Sequence, residues 1–463
     1  MKRFSQNLVS LFSADLSRRI LGFISVAYLA RILGKEEFGA ISLGFAVLAY
    51  GMVLSSAGFN TLGAKRIAQG ESPALIGQVF GSRAIATIVI ITIIMSIVYF
   101  TVPESTTVGL IFLFLCSLLP QIIFLDWFFQ GKETMGIVGI ARTLQALLYM
   151  IVVLLFVRSM SDIFWVAGGS IVGEIGAASL LLYTFRRRYP GVTIRITPSF
   201  QLIKTSLPLA IGVIIASLVI NYPPIALGIF SSKSNIGLYS AASKLVYFLL
   251  MADRILILLL IPASARKFQD SPETFSKMLQ DTMKWIIVIG IPIAVGGMLI
   301  ANELIDLIFG IEYHASAGVL KVLIWYFLLS LFHSMYSTGL IGAGGEKPYG
   351  KIMLITAGLY FFFVSIGAWA YGSYGAAFGV IIAEGCSVVI INRSLRSCVH
   401  IQPPKGIFSV ILAAVVMAVG VHFVLPYGLL WGVLVGIGIY SIMVLILRPI
   451  TRKDVELLLA RIL

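Results

Sequence analysis

Apolar stretches long enough to cross a lipid bilayer follow one another along almost the whole sequence of 463 residues. A membrane-spanning helix needs about 20 predominantly apolar residues, because the hydrocarbon layer is about 30 Å thick. Charged residues make up only 12% of the sequence, which is roughly half of their share in an ordinary soluble domain. The sequence therefore predicts an all-α integral membrane protein.

About fourteen membrane-spanning helices can be distinguished. The first of them carries charged residues and is not followed by a small-residue cleavage site, so we expect it to stay in the protein rather than to be removed as a signal peptide. The three cysteines fall in or beside apolar stretches, which indicates free thiols rather than disulfide bonds. The predicted spans are residues 8–33, 38–60, 78–100, 106–129, 135–157, 163–185, 204–229, 236–264, 283–308, 315–343, 350–371, 374–397, 405–425 and 428–447.

The net charge of +14 is distributed unevenly between the two sides of the predicted membrane. With a cytoplasmic N-terminus, most of the 34 lysines and arginines fall on the cytoplasmic side, and the outer loops hold only Lys35, Arg158 and Lys233. Basic residues concentrate on the cytoplasmic side of membrane proteins. The charge therefore predicts a multi-pass protein of the cell (inner) membrane with both termini in the cytoplasm. It indicates contact with anionic membrane lipids and not with nucleic acid.

Three pairs of similar segments indicate an internal duplication, with 198 to 214 residues between the members of each pair. Six predicted spans separate the copies, so both copies cross the membrane in the same orientation, related by an axis along the membrane normal. The sequence predicts an N-terminal six-helix lobe at 1–190, a C-terminal six-helix lobe at 191–400 around a central cavity, and two additional helices with a cytoplasmic tail at 401–463. The paired segments are Phe38–Ser42 with Ile236–Ser240, Gly131–Gly136 with Gly345–Gly350, and Ala167–Gly176 with Ala377–Cys386.

The last pair aligns Glu174 with Glu384, and each of these residues lies alone at the centre of an apolar span. An ionisable residue inside the membrane is costly and marks a functional site by default. Because burial favours the neutral form of a carboxyl group, both glutamates are candidates for binding a coupling proton or ion. The alternative is a protonated glutamic acid that only packs between helices.

The first span carries two basic residues close to an acid. Arg18 and Arg19 follow Asp15 by three and four residues, so both can form an ion pair with it. Arg19 lies 15 residues before Gly34 at the predicted outer end, which is roughly 22 Å along a helix. This depth favours side chains that face a hydrated cavity. The alternative is a helix start at the cytoplasmic interface, with the arginines extended toward water.

The eighth span contains Lys244 and the adjacent pair Asp253 and Arg254. Arg254 lies twelve residues before the cytoplasmic Arg266, which is roughly 18 Å into the membrane. The adjacent charges are tolerable there only if they face other helices or water. A cavity-facing position is favoured, and a purely structural ion pair is the alternative.

Other polar residues within the spans are less informative. Arg83 and Arg142 lie one or two turns inside their spans, where they either add to a cationic cavity or extend to the surface. His333 and His422 are interpreted as packing residues. The four histidines are scattered and form no metal-binding or catalytic motif, so neither a metal site nor a catalytic residue is predicted.

Three motifs stand near the ends of predicted spans. They read Tyr-Leu-Ala-Arg-Ile-Leu-Gly at 28–34 followed by Glu-Phe-Gly at 37–39, Asp-Trp-Phe-Phe-Gln-Gly-Lys-Glu-Thr-Met at 126–135, and Gly-Leu-Tyr-Ser-Ala-Ala-Ser-Lys at 237–244. Together with the fourteen spans, they resemble the polysaccharide (O-antigen and lipid-linked oligosaccharide) flippase family of the multidrug/oligosaccharidyl-lipid/polysaccharide exporter superfamily.

The first helix and Ala252-Asp253-Arg254 also resemble the lipid II flippases of the same superfamily. This second resemblance implies that Arg18 and Arg254 contact a diphosphate. However, Ile24 and Ser25 stand where lipid II flippases carry an Arg-Asp pair. Lipid II itself is therefore not predicted as the substrate.

The family resemblance implies an alternating-access flippase. Its substrate would be a polyprenyl-diphosphate-linked oligosaccharide, moved from the cytoplasmic to the outer leaflet for surface polysaccharide (O-antigen, capsule or exopolysaccharide) biosynthesis. The partners implied are this lipid, membrane lipids, and possible contacts with the polysaccharide polymerase and chain-length machinery. No cofactor is expected beyond a coupling proton or sodium ion. The candidate cationic residues are Arg18, Arg19, Lys244, Arg254, Arg83 and Arg142.

Two other functions agree less well with the sequence. A cation-coupled multidrug exporter of the same superfamily favours acidic and aromatic cavity residues, whereas the charges within these spans are mostly basic. A membrane-embedded polysaccharide polymerase or acyltransferase needs a catalytic constellation, often on a large outer loop, and the outer loops here are short. The sequence therefore predicts a transporter and not an enzyme.

Overall fold

The computed structural model describes residues 2–56, 58–399, 401–404 and 406–449, with side chains from Asp15 onward except Ile255 and Leu259. Within these ranges the chain forms helices and turns and no strand. By the density of internal contacts it divides into two units, Met1–Gly237 and Leu238–Leu463. This division reflects contacts within the structure, whereas the predicted lobes reflect repeated segments of the sequence. The lobe boundaries at 190 and 400 therefore stay a prediction.

The first unit contains nine helices among its described residues. The longest, α1, holds two membrane-spanning segments joined at Gly34, whose φ of 70° and ψ of 174° favour glycine. The first predicted span ends at residue 33, one residue before this bend. The nine helices are α1 Lys2–Ser56, α2 Phe59–Ala68, α3 Leu75–Thr101, α4 Ser105–Cys116, α5 Leu118–Gln121, α6 Asp126–Gly131, α7 Met135–Phe156, α8 Phe164–Arg188 and α9 Phe200–Phe230.

The second unit contains eight helices in the part that the structure describes, the first of which begins just before the boundary. In α15 two segments join at Tyr371 and Gly372, and Gly372 has a φ of 57°. The eight helices are α10 Lys233–Leu249, α11 Met251–Asp270, α12 Pro272–Leu299, α13 Ala301–Phe309, α14 Ser316–Gly342, α15 Glu346–Arg396, α16 Ile407–Val424 and α17 Leu429–Leu447.

The number of membrane-spanning segments agrees with the sequence. Eleven helices of the described chain are long and apolar enough to cross a membrane, and the shorter apolar helix Ser105–Gln121 adds a twelfth. Because α1 and α15 each contain two segments, the described segments number fourteen. The predicted all-α membrane fold is therefore confirmed.

Three predicted spans differ from the structure in their continuity. The fourth, 106–129, ends at α5, and a turn at 122–125 separates it from α6. Leu250 alone separates α10 from α11 within the eighth span. The ninth begins eleven residues earlier than predicted, at Pro272, because Ser271 caps the helix by accepting a hydrogen bond from the Thr274 N–H. Hydropathy detects only the apolar part of such a helix.

The segment between α8 and α9 lies on α3 at a notch formed by two glycines. A Cβ atom on Gly77 would lie 1.8 Å from the carbonyl oxygen of Arg195, and one on Gly81 would lie 2.7 Å from the nitrogen of Pro198. The Thr197 N–H donates to the Gly77 carbonyl at 3.3 Å. This notch holds the connecting segment 191–199 on the first unit.

We predict that Gly77→Ala destabilises the protein, because the added methyl group has to displace the backbone at Arg195. Overpacking of this kind costs typically about 1–3 kcal/mol. The midpoint of thermal unfolding in detergent measures the effect. Gly212→Ala in α9 is the matched control, since no atom lies within 4 Å of a Cβ there. Equal stability of the two variants would contradict the prediction.

Candidate functional site

In the first unit, α1 presents Asp15 and two arginines on one side, about four turns after its start at Lys2. The Asp15 carboxylate accepts hydrogen bonds from Arg18 at 3.1 Å and from Arg19 at 2.9 Å. The Arg18 side chain remains 45% exposed despite this pairing. One carboxylate between two guanidinium groups leaves a net positive charge that is available to a further anion.

The two arginines line a cavity of about 340 Å³ within the same unit. The opposite wall is formed by α7 and α8, which contribute Gln145, Tyr149 and Ser170. Guanidinium groups form paired, charge-assisted hydrogen bonds with phosphate oxygens. Amide and hydroxyl groups beside them suit the neutral polar groups of a sugar. The cavity can therefore hold an anionic polar head.

Arg142 joins the cavity wall to the turn after α5. Its guanidinium donates to Asp126 at 3.0 Å and to Gln145 at 3.2 Å. The guanidinium carbon lies 4.4 Å from the centre of the Phe124 ring, which adds a cation–π contact. Since Arg142 is held on three sides, it positions Gln145, and the predicted direct substrate contact of Arg142 stays a prediction.

Glu174 lies on α8 with no exposed surface. Gln121 donates to its Oε1 atom at 2.9 Å, and Gln145 donates to the same oxygen. Its Oε2 atom is buried and has no hydrogen-bond partner among the described residues. A buried oxygen without a donor is costly when it is charged. The Glu174 carboxyl therefore has one oxygen with two amide donors and one with none among the described residues, and Gln145 connects it to the cavity.

Arg83 is enclosed rather than open to the cavity. It is 4% exposed, and it donates to the carbonyl oxygens of Gln121 at 2.8 Å and Phe124 at 3.2 Å, as well as to Asn60. These two carbonyls border the interruption between α5 and α6. Arg83 thus supplies the Phe124 carbonyl with the donor that a continuous helix would provide, whereas the Gln121 carbonyl also accepts from the Phe124 N–H at 3.1 Å. The predicted substrate contact of Arg83 stays a prediction.

In the second unit, Glu384 on α15 is 4% exposed and is held by two partners. Tyr360 donates to its Oε2 atom at 2.6 Å, and Nδ1 of His333 lies 2.8 Å from its Oε1 atom. His333 comes from α14, and Tyr360 comes from the other segment of α15. Both carboxylate oxygens are therefore engaged, in contrast to those of Glu174.

Further polar groups extend the site around His333. The Ser387 hydroxyl lies 3.5 Å from Nδ1 of His333, and Thr356 lies 2.8 Å from Ser387. One turn before His333 on α14, Ser330 donates to Asp253 of α11 at 3.3 Å. The site therefore combines two carboxyl groups, one imidazole and several hydroxyl groups in an apolar helical bundle.

The other sequence-predicted cations of the second unit lie on α10 and α11. Lys244 is partly buried, and Arg254 is exposed. The six predicted cations are thus divided between the units, with Arg18, Arg19, Arg83 and Arg142 in the first. Their joint action on one substrate stays a prediction.

Sequence reasoning missed four partners of the two glutamates: Gln121 and Gln145 beside Glu174, and His333 and Tyr360 beside Glu384. His333 was interpreted as a packing residue, and the structure places it against a carboxylate instead. The free-energy cost of burying the Glu384 carboxylate could have indicated this contact, because a buried charge requires a polar partner within the same helical bundle.

Comparison with known proteins agrees with this architecture. The family described as "Polysaccharide biosynthesis protein" matches residues 4–268. The "Putative O-antigen transporter" of Shigella dysenteriae is 23% identical over 405 residues, covering 84% of this chain and 100% of that protein. The "Probable low-salt glycan biosynthesis flippase Agl15" of Haloferax volcanii is 22% identical over 480 residues, covering 96% of both.

Two solved structures share the fold. The lipid II flippase MurJ in an inward closed conformation superposes with a TM-score of 0.73 at 16% identity, covering 95% of this chain and 99% of that one. An inward-facing transporter of the multidrug resistance MATE family gives a TM-score of 0.63 at 14% identity, covering 82% and 95%. The family match extends over more than half of the sequence, and the chain therefore belongs to the polysaccharide biosynthesis protein family.

Proposed function

We propose that this protein is a flippase that moves polyprenyl-diphosphate-linked oligosaccharides from the cytoplasmic to the outer leaflet of the cell membrane for surface polysaccharide synthesis. The observation that carries the proposal is the cavity lined by Arg18 and Arg19 inside a helical membrane unit. Family membership, the names of the O-antigen transporter and glycan flippase relatives, and the MurJ-like fold support it.

The physical task of such a flippase is to carry a charged head through hydrocarbon. Transfer of an isolated anion into a medium of low polarity costs tens of kcal/mol in the idealised limit. The guanidinium groups of Arg18 and Arg19 replace the water around the diphosphate with fixed, charge-assisted hydrogen bonds. The polyprenyl tail needs no such replacement, because it stays in an apolar surrounding throughout.

A multidrug exporter is the second candidate, since MATE transporters share the fold. Its cationic substrates would meet two guanidinium groups in this cavity, and like charges repel. The cavity therefore favours an anionic substrate. Transport of a lipid requires no bond to be made or broken, so the proposal assigns no catalytic residue.

The topology and the partners follow from the same proposal. Both termini lie in the cytoplasm of a cell whose inner membrane contains the protein, as the distribution of basic residues predicts. The flipped oligosaccharide then passes to a polymerase and the proteins that set chain length, which are the candidate macromolecular partners.

Glu384 and His333 form the coupling site in this proposal. Nδ1 of His333 lies 2.8 Å from the buried carboxylate of Glu384. The pair can therefore hold one titratable proton between the two groups or one on each group, and the two states differ in net charge. Glu174, with one oxygen lacking a donor among the described atoms, is the second candidate. Proton uptake on one side of the membrane and release on the other side would drive the transport cycle. A sodium ion in place of the proton is the alternative.

We predict that Arg18→Ala combined with Arg19→Ala lowers the rate of flipping at least tenfold in proteoliposomes that contain a fluorescent polyprenyl-diphosphate sugar. Hydrogen bonds to charged groups contribute about 1.5–3 kcal/mol each, and about 1.4 kcal/mol corresponds to a factor of ten. Arg18→Lys keeps the charge but not the paired geometry, so we expect an intermediate rate.

Arg187→Ala is the matched control, because Arg187 is an exposed residue in the last turn of α8. Its rate should equal that of the unchanged protein. A double alanine variant that folds, inserts and flips at the full rate would remove the arginines from the mechanism. Export of a cationic dye instead of the lipid would favour the multidrug exporter.

We predict that Glu384→Gln abolishes the acceleration of flipping by a transmembrane pH gradient. The amide keeps the size of the side chain and can still accept a hydrogen bond from Tyr360, but it cannot ionise. Glu346→Gln is the control, since Glu346 is exposed at the start of α15. If the Glu384→Gln variant still responds to the pH gradient, or the unchanged protein responds only to sodium, the proton site is wrong.

A further inference from the structure

One nitrogen of Arg83 holds both ends of the turn at 122–125. Nη1 donates to the carbonyl oxygen of Gln121 at 2.8 Å and to that of Phe124 at 3.2 Å. Nη2 donates to the side-chain oxygen of Asn60 on α2. Because the guanidinium group is planar and rigid, it fixes these three acceptors relative to one another. Arg83 therefore ties the turn to α3 and α2.

The two residues that Arg83 holds each contact a different group behind the cavity wall. The Gln121 amide donates to Oε1 of Glu174 at 2.9 Å. The ring of Phe124 is 2% exposed, and its centre lies 4.4 Å from the guanidinium carbon of Arg142. The position of the turn therefore determines whether both contacts can form at once.

The two contacts meet at Gln145. Its amide nitrogen donates to Oε1 of Glu174, and its amide oxygen accepts from Arg142 at 3.2 Å. A guanidinium group only donates hydrogen bonds, so the oxygen of the amide has to face Arg142. Gln145 lines the cavity. The orientation of its amide is therefore part of the surface that a ligand meets.

The backbone of Gln145 has little room to move, because α8 packs tightly against it. A Cβ atom on Gly173 would lie 2.7 Å from the carbonyl oxygen of Gln145 and 3.4 Å from its Cγ atom. Close-packed interiors transmit a displacement to their neighbours. A shift of Glu174 or Arg142 therefore changes the orientation of the Gln145 side chain rather than the position of its backbone.

Arg83 itself lies behind the cavity wall. It is 4% exposed and is not among the described residues that line the cavity. Any effect of Arg83 on a ligand therefore has to pass through other residues. An arginine that only completed the turn would have no such effect, whereas the route through Gln145 predicts one.

We propose that Arg83 is a positioning residue for substrate binding, which holds the turn at 122–125 so that the Gln145 amide keeps its orientation in the cavity wall. This inference rests on the proposed function, because it takes the cavity to be the site of the anionic head. It replaces the direct contact between Arg83 and the diphosphate that the sequence predicted.

The test is a double-mutant cycle between Arg83 and Gln145. Arg83→Lys keeps the charge but replaces the planar group by a single ammonium group, and Gln145→Ala removes the amide. The dissociation constant of a polyprenyl-diphosphate sugar is measured with the full chain in lipid nanodiscs. We expect Arg83→Lys to raise this constant about threefold or more, and to change it less than about twofold in the presence of Gln145→Ala.

Effects of the two substitutions that multiply would overturn the positioning role. Arg83 would then act independently of Gln145, as a residue in direct contact with the substrate does. Arg158→Lys is the matched control, because Arg158 is exposed and its guanidinium donates to the Leu155 carbonyl at 3.2 Å. It should leave the dissociation constant unchanged with and without Gln145→Ala.

Two further variants interrupt the two routes one at a time. Gln121→Met removes the amide that donates to Glu174, and Phe124→Leu removes the ring beside Arg142, whereas the backbone carbonyls of the turn remain. Each should raise the dissociation constant about twofold or more, and each should lose most of this effect in the presence of Gln145→Ala. Unchanged constants in both variants would contradict the proposal even if the lysine variant does not fold.

The same cycle measured by thermal unfolding in detergent needs no ligand. Substitutions that share no partner add in their effects on stability, whereas members of one hydrogen-bond network do not. We expect the shifts in unfolding midpoint caused by Arg83→Lys and Gln145→Ala to be non-additive.

This readout separates the positioning role from the proposed function. If the shifts are non-additive while the unchanged protein binds no polyprenyl-diphosphate sugar, the positioning role stands and the proposed function fails. If the lipid binds to the unchanged protein while the substitutions act independently on binding and on stability, the proposed function stands and the positioning role fails.

Discussion

The cost of placing a charge in hydrocarbon determines the arrangement of the polar residues of this protein. Each unit is an apolar helical bundle, and the ionisable groups within it are gathered into small clusters that satisfy one another. Asp15 bridges two arginines, Arg142 bridges Asp126 and Gln145, and Glu384 accepts from Tyr360 while it pairs with His333. What these clusters leave unsatisfied, namely the excess charge of Arg18 and Arg19 at the cavity, is then available to a ligand. In our proposal, the positive charge that this internal pairing leaves uncompensated binds the anionic head of the substrate.

The predicted duplication pairs two glutamates whose surroundings differ in chemistry. Glu174 and Glu384 align in the predicted duplication, but the first meets two amides and the second meets an imidazole and a phenol. An amide cannot take up a proton near neutral pH, whereas an imidazole can. The two copies therefore divide the work in our proposal, because the first holds the cationic cavity and the second holds the group that titrates.

The sequence predicted the helices and their number well, because length and hydropathy determine the spans and a glycine marks the bend of α1. It also indicated Asp15 as the partner of two arginines, since helical spacing alone brings them together. The partners of the glutamates were not predictable in this way. His333 and Glu384 are 51 residues apart on different helices, and only the packing of α14 against α15 brings them into contact. The enclosure of Arg83 was likewise hidden, because it depends on carbonyl groups released where α5 ends.

Two glycines of the first unit constrain how the protein can change by mutation, because a Cβ atom on Gly39 would lie 1.9 Å from the carbonyl oxygen of Lys233, and one on Gly237 would lie 2.0 Å from that of Lys35. In a pair of identical subunits, one codon would specify both sides of such a contact, and a single substitution would add two obstructing side chains at once. Within one chain the two positions vary independently, so one side can acquire a partner, as Lys233 does in Glu104 at 2.6 Å, without imposing it on the other. Under the predicted duplication, the presence of both halves in one chain permits a symmetric contact to acquire a salt bridge on one side only.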